Sequence, residues 1–378
     1  MKGGIIGENK GSEHWSAGGV NLRRGTFEMT GGQIIGNEAI GSGGGGGLRV
    51  DFGTFIMKGG EIIENEASGA HSGGRILLSG PNKGHIEMKD GMIAENKVSG
   101  QNSGGGMRIN EGSVSMSGGS IERNEGSGSG SGGGVILHAN VGRPASFEMK
   151  GGAIKGNRQT APTNNGGGGV RIVNANFTMQ GGTIEENHAD LGAGIVVGNM
   201  GTFEMQDGLI TRNTALNNGG GIYVHPDAVG TTIMGGLITE NKTAFKGGGV
   251  YVLRGEFNMH GGSILDNSAT EGGGMFINEG TAILNGGSIH RNSADYGGGI
   301  YIDRGGNLEM ENGSITHNEA LQGGGVLVGD LATFTMRGGI IDNNTAPRHC
   351  AISVNPSGTF NHEGGVVAGY CIPVVDVS

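Results

Sequence analysis

The feature that most constrains this chain is a recurrence, Gly-Gly-x-Ile-x-x-Asn, returning every 25 to 33 residues along its whole length. Its asparagine falls at Asn9, Asn37, Asn65, Asn96, Asn124, Asn157 and Asn187, then at Asn213, Asn241, Asn267, Asn292, Asn318 and Asn344. In some copies Asp or Asn replaces the first glycine, and a fourteenth copy, Gly364-Gly365-Val366-Val367, ends in Tyr370. A fixed period of this length is the signature of a fold assembled by stacking one unit on the next.

Each period holds three short apolar segments: Phe-x-Met (Phe257-Asn258-Met259), the isoleucine of the glycine pair (Ile264), and a segment after a glycine triplet (Val250-Tyr251-Val252). Period-2 alternation marks the first and third as strands with one inward face, and no segment has useful helical periodicity. Three short strands per period predict an all-β, right-handed parallel β-helix of 13 to 14 turns of about 26 to 30 residues. At about 4.8 Å per turn the rod would be roughly 60 Å long. Glycine, 87 of 378 residues, then serves the corners, where a Cβ would block the backbone angle or a close approach. The twelve asparagines from Asn37 to Asn344 are expected to form a ladder, each amide capping a bend and bonding its equivalents above and below.

The chain reads as a single domain over residues 1–378. Residues 1–186 carry longer Gly/Ser-rich loops such as "GSGSGSGGG" at 126–134, residues 187–347 carry regular short-loop turns, and 348–378 form a degenerate last turn and cap ending in "CIPVVDVS". Loops after the third strand are enlarged at Pro81–His85, Ala139–Ala145 and His225–Gly230. Variable loops on a rigid frame are a common seat of recognition, and equally a place where insertions are tolerated.

At these motifs the chain resembles right-handed parallel β-helix repeat proteins of the pectin-lyase-like superfamily. Among them it is most similar to repetitive bacterial surface adhesins such as the passengers of chlamydial polymorphic membrane proteins. Gly192-Ala193-Gly194-Ile195 and the Gly-Gly-Gly-Ile/Val triplets resemble their GGA[ILV] motif, and Ile-x-x-Asn resembles their FxxN. The resemblance implies the β-helix fold and leaves function open, because this architecture hosts lyases, hydrolases, tailspikes and adhesins.

A net charge of −10 argues against nucleic acid as a partner, and no apolar run approaches the 18 or so residues of a membrane span. The first residues lack a secretory signal, so export would be directed from outside this segment. The glycine clusters open no helix and meet no Gly-Lys-Ser/Thr, so they predict no phosphate loop. The acids Glu28, Glu87, Glu148 and Glu204 are dispersed along the turns, and the histidines form no ligand pair. The expectation is therefore no catalytic residue, metal or cofactor. Cys350 and Cys371 stand as a candidate disulfide or as two thiols.

One column stands apart. The middle residue of the third strand runs Asn21, Arg49, Leu77, Arg108, Ile136, Arg171, Val196, Tyr223, Tyr251, Phe276, Tyr301, Leu327. Tyr223, Tyr251, Phe276 and Tyr301 are four of only 17 aromatic residues, placed on consecutive turns and facing outward. They are either an exposed platform for sugar rings or a partner's apolar surface, or aromatics stabilising one another by stacking. The resulting expectation is a non-enzymatic extracellular or cell-surface adhesin, passenger stalk or binding scaffold, partnered by a glycan or a protein of another cell. A polysaccharide-binding or polysaccharide-degrading β-helix, and the subunit of a head-to-tail filament formed by end-to-end self-association, are the alternatives.

Overall fold

The computed structural model describes residues 1–72, 76–79, 84–140, 142, 145–161, 166–347, 349 and 351–368. Cys350, Cys371 and the tail around Pro373 lie outside them. The chain divides into two compact units, Met1–Phe203 and Glu204–Ser378. Each is a stack of parallel strands.

The turn that holds Asn267 shows the plan. Strands Glu256–Met259, Ser263–Leu265 and Met275–Asn278 each pair in parallel with the equivalent strand one turn later, with Phe257 opposite Ala282, Ile264 opposite Ile289 and Phe276 opposite Tyr301. The inward side chains Phe257, Met259, Ile264, Met275 and Ile277 are fully buried. Most turns add a fourth, shorter strand directly after the asparagine, such as Glu38–Ala39, Glu66–Ala67 or Lys242–Thr243. Three strands per turn were expected. In the turns where it is two residues long, the fourth escapes period-2 reading because so short a strand shows no alternation; elsewhere it lengthens, as in Thr214–Asn218 and Ser293–Tyr296.

The first and second strands belong to one sheet folded at the glycine pair; in the first unit they run together as Thr26–Ile35, Thr54–Ile63 and His85–Ala94. The fold needs glycine there. Gly262 has φ +77°, and a Cβ on it would stand 2.7 Å from the Gly236 carbonyl oxygen. The same bend explains Phe-x-Met: the methionine methyl of one turn lies under the second glycine of the next, as Met259 does beneath Gly287. A flexible thioether fills the gap left where no Cβ exists.

The asparagines form the expected ladder within each unit. In the second, Asn213 Nδ2 donates to Asn241 Oδ1 at 2.9 Å, and Asn241, Asn267 and Asn292 each donate to the next at 3.0 Å. Asn318 continues the ladder to Asn344 at 2.9 Å. In the first unit Asn37 joins Asn65, Asn96 joins Asn124, Asn124 joins Asn157, and Asn157 joins Asn187. Within each unit the Oδ1 also accepts the backbone N–H of the asparagine one turn before, as in Asn65 N–H to Asn96 and Asn267 N–H to Asn292. The residue before the asparagine turns the corner in the left-handed region, glycine at Gly36 and Gly156 but charged at Glu64, Glu95, Asp266 and Arg291.

Candidate binding surface

The aromatic column sits where the sequence places it but not as expected. Tyr223 stacks on Tyr251 at 5.2 Å between ring centroids, Tyr251 on Phe276 at 5.6 Å, and Phe276 meets the edge of Tyr301 at 4.9 Å. The rings are covered, not presented. Tyr223 and Tyr251 are each 5% exposed, Phe276 is 0% exposed, and Tyr301 is half-buried. An open platform at these four residues is therefore corrected to an interior stack.

The cover is the segment between the asparagine and the glycine triplet, which folds back over the outward face of the third strand. Lys246 Nζ lies 4.4 Å from the centre of the Phe276 ring and forms a 2.8 Å ion pair with Glu271 one turn on. Gly272, with φ +65°, lies so close to Phe276 that a Cβ on it would stand 2.9 Å from the Phe276 Cβ. Asn278 donates from Nδ2 to the Tyr251 hydroxyl at 3.1 Å, and burial pushes the Tyr223, Tyr251 and Tyr301 phenols above their ordinary range. Period-2 alternation assigns the faces of a strand correctly, but it cannot tell that a neighbouring loop seals the outer one.

What the second unit exposes instead is a row on that covering segment. Leu216 is 70% exposed, Phe245 54%, Tyr296 44% and Leu321 58%. Thr270 occupies the intervening turn. Parallel bridges tie these segments together, Asn218 to Lys246, Lys246 to Glu271 and Glu271 to Tyr296, with Tyr296 opposite Gln322. The row thus runs over five successive turns, about 19 Å at 4.8 Å per turn. Sequence reading missed it because the apolar residue shifts between the third and fourth positions after the asparagine and Thr270 interrupts it. The usable signal was a single large apolar residue recurring in a segment otherwise small or polar.

In the first unit the same outward column is exposed at Asn21 and sealed from the next turn on: Arg49, Leu77, Arg108, Ile136, Arg171 and Val196 are all buried. A second polar ladder supports the covering loops there. Gly44 N–H donates to Ser72 Oγ, Ser72 N–H to Ser103 Oγ at 3.0 Å, and Ser103 N–H to Ser131 Oγ at 3.2 Å, with all three serines buried. Its signal in the sequence is a serine preceding the glycine cluster on successive turns.

The acids on the Phe-x-Met strands carry local partners. Glu28 pairs with Lys58 at 2.8 Å, Glu87 with Lys89 at 3.0 Å and Glu148 with Lys150 at 2.9 Å, while Glu204 accepts from Gln206. Carboxylates gather more closely at the corner beside Asn65. There Glu64, Glu66, Glu95, Lys97, Arg123 and Glu125 line an open groove of about 460 Å³, with Arg123 holding Glu95 at 3.1 Å and also Glu122. Bidentate pairs mark corners of the second unit, Arg254 with Glu279 and Arg291 with Asp266, and these arginines hold their carboxyls below the usual range. Among the described residues no group of three or more His, Cys, Asp or Glu side chains is placed to hold a metal ion, and no helix is long and apolar enough to cross a membrane.

Residues 202–366 match the family model described as the right handed beta helix region. No curated protein and no solved structure matches the chain.

Proposed function

Starting from a chain that is a right-handed parallel β-helix repeat protein, we propose that it works outside the cell or on its surface as a non-enzymatic adhesive scaffold. In this reading it presents the outer row of its second unit to a glycan or to a protein of another cell. The observation that supports it is the row Leu216, Phe245, Tyr296 and Leu321, exposed while the inward side chains of the same turns are buried. Large apolar side chains exposed on four of five neighbouring turns gain nothing for the fold by exposure, and a cluster of this kind marks an interaction surface. A frame whose turns are locked by buried amides pre-organises that row, so little ordering entropy is lost on contact.

The test is a fourfold variant, Leu216→Ser, Phe245→Ser, Tyr296→Ser and Leu321→Ser, compared with the wild type on a broad glycan array and on intact cells. The expected result is wild-type binding that the variant loses while its far-UV circular dichroism and thermal midpoint hold. Absence of binding by the wild type, or equal binding by the variant, refutes the reading.

The groove at Glu64, Glu66, Glu95, Lys97, Arg123 and Glu125 favours a second reading, a polysaccharide-active surface, because several carboxylates and two cations share one concavity. It predicts release of reducing or unsaturated sugar ends from a panel of acidic polysaccharides, lost in Glu66→Gln. A panel with no product rejects it.

A further inference from the structure

Along the outward column of the first unit, register places an arginine on every second turn: Arg49 opposite Leu77, Leu77 opposite Arg108, Arg108 opposite Ile136, and Ile136 opposite Arg171. All three guanidiniums are buried, and their surroundings differ. Arg49 is neutralised by Asp51 at 2.6 Å and lies over the Trp15 ring at 5.3 Å. Arg171 donates to the Gly130 carbonyl and, at 3.4 Å, to Asn102 Oδ1, while its Nε, like that of Arg49, has no partner among the described residues. Arg108, only 3% exposed, donates from Nε to Asn110 Oδ1 at 2.5 Å; among the described residues its Nη1 has no hydrogen-bond partner and no carboxylate forms an ion pair with it.

A second orphan stands beside it. His138 follows Leu137, which pairs with Ile109, so its ring lies one turn from Asn110. It is half-buried, and among the described residues its Nδ1 also lacks a partner. Burial first, then the charges of Arg108, Arg171 and His71, hold the His138 ring neutral down to about pH 3. Burial, with the neighbouring Arg171 charge, lowers the Arg108 pKa to about 9. An uncompensated buried guanidinium is costly, and a buried donor without an acceptor adds to that cost. Leu77 and Ile136 show that an aliphatic residue fits the same column without either penalty. Arginine at this place is therefore explained by something that accepts its hydrogen bonds.

We propose that Arg108 Nη1 and His138 Nδ1, with the Arg171 guanidinium behind them, bind a small anion of halide size beneath the glycine- and serine-rich loops of the first unit. Neutral imidazole supplies an N–H at Nδ1 in one tautomer, so both orphaned groups donate. Burial restricts the ligand to a compact ion, and exposed His71, whose own pKa is lowered by burial and then by Arg108, marks the open side of the cluster.

The test uses the whole chain. Crystals soaked in sodium bromide are expected to show an anomalous peak within hydrogen-bonding distance of Arg108 Nη1. In solution, ³⁵Cl line broadening is expected to saturate for the wild type and for Arg49→Met, and to vanish for Arg108→Met. That variant is further expected to unfold at the wild-type midpoint or above it in sodium gluconate, and to lose the chloride-dependent rise. A wild-type crystal without the peak overturns the proposal, as does chloride dependence unchanged in Arg108→Met. Displacement of bromide by equimolar sulfate or acetate overturns the assignment to a halide.

Discussion

Replacement of Asn292 by alanine is expected to cost about 4 kcal/mol, and the structure says where the energy goes. Asn292 Oδ1 accepts from the Asn267 backbone N–H and from Asn267 Nδ2, each at 3.0 Å. Its Nδ2 donates to the Ile264 carbonyl at 2.9 Å and to Asn318 Oδ1 at 3.0 Å. These four bonds are buried, at a residue with no exposed surface, and each contributes about 1 kcal/mol net. Alanine leaves the Asn267 N–H without an acceptor in a place water cannot reach. Aspartate is the sharper probe because it keeps the shape: it would set a carboxylate oxygen against the Ile264 carbonyl and Asn318 Oδ1, two acceptors, so Asn292→Asp should be less stable than Asn292→Ala. Urea unfolding followed by circular dichroism measures the global change. Hydrogen exchange at the Asn267 amide reads the local one, where 4 kcal/mol corresponds to roughly a thousandfold loss of protection. A cost below about 1 kcal/mol for alanine, or aspartate tolerated as well as alanine, would refute the view that the amide ladder is dry and directional.

The remaining predictions concern other parts of the turn. Phe276→Ala should cost about 3 to 5 kcal/mol in urea unfolding, because the ring is fully buried, whereas Phe245→Ser should change stability by no more than about 0.5 kcal/mol; equal effects would restore the open platform. Tyr251→Phe should cost about 1 kcal/mol, the value of the Asn278 hydrogen bond. Gly262→Ala combines a left-handed φ with a 2.7 Å contact to the Gly236 carbonyl and should lower the thermal midpoint sharply, while Gly230→Ala, with nothing within 4 Å, should leave it unchanged. His138 has a folded pKa of about 3, below its ordinary 6.5. Between these values the unfolded chain binds the extra proton, so stability falls as pH falls, by at most about 1.4 kcal/mol per pH unit. The difference in unfolding free energy between wild type and His138→Leu, measured from pH 7 to 4, should show that slope.

How far the sequence reaches can be judged from particular residues. Gly-Gly-x-Ile-x-x-Asn is local chemistry: Gly262 needs its φ, Ile264 needs an inward face, and Asn267 needs equivalents one period away. All three demands are met by residues whose spacing is printed in the chain, so the parallel β-helix, its inward columns and its amide ladder were legible without coordinates. Phe276 marks the limit. Alternation correctly turned it away from the interior of the turn, yet its burial depends on Gly272, four residues before it in the same turn, folding back against it, and on Lys246, which arrives from the preceding turn. Leu216 and Phe245 came to the surface by the same route. Arg108 shows the limit for charge: the residue two places on, Asp51 after Arg49 and Asn110 after Arg108, is legible in the chain, but the Trp15 ring beside Arg49 comes from the preceding turn. Short-range periodicity alone determines which way a side chain points. Whether that direction leads to water is decided by the backbone that folds over it, because burial belongs to the stacked turns together and to no single repeat.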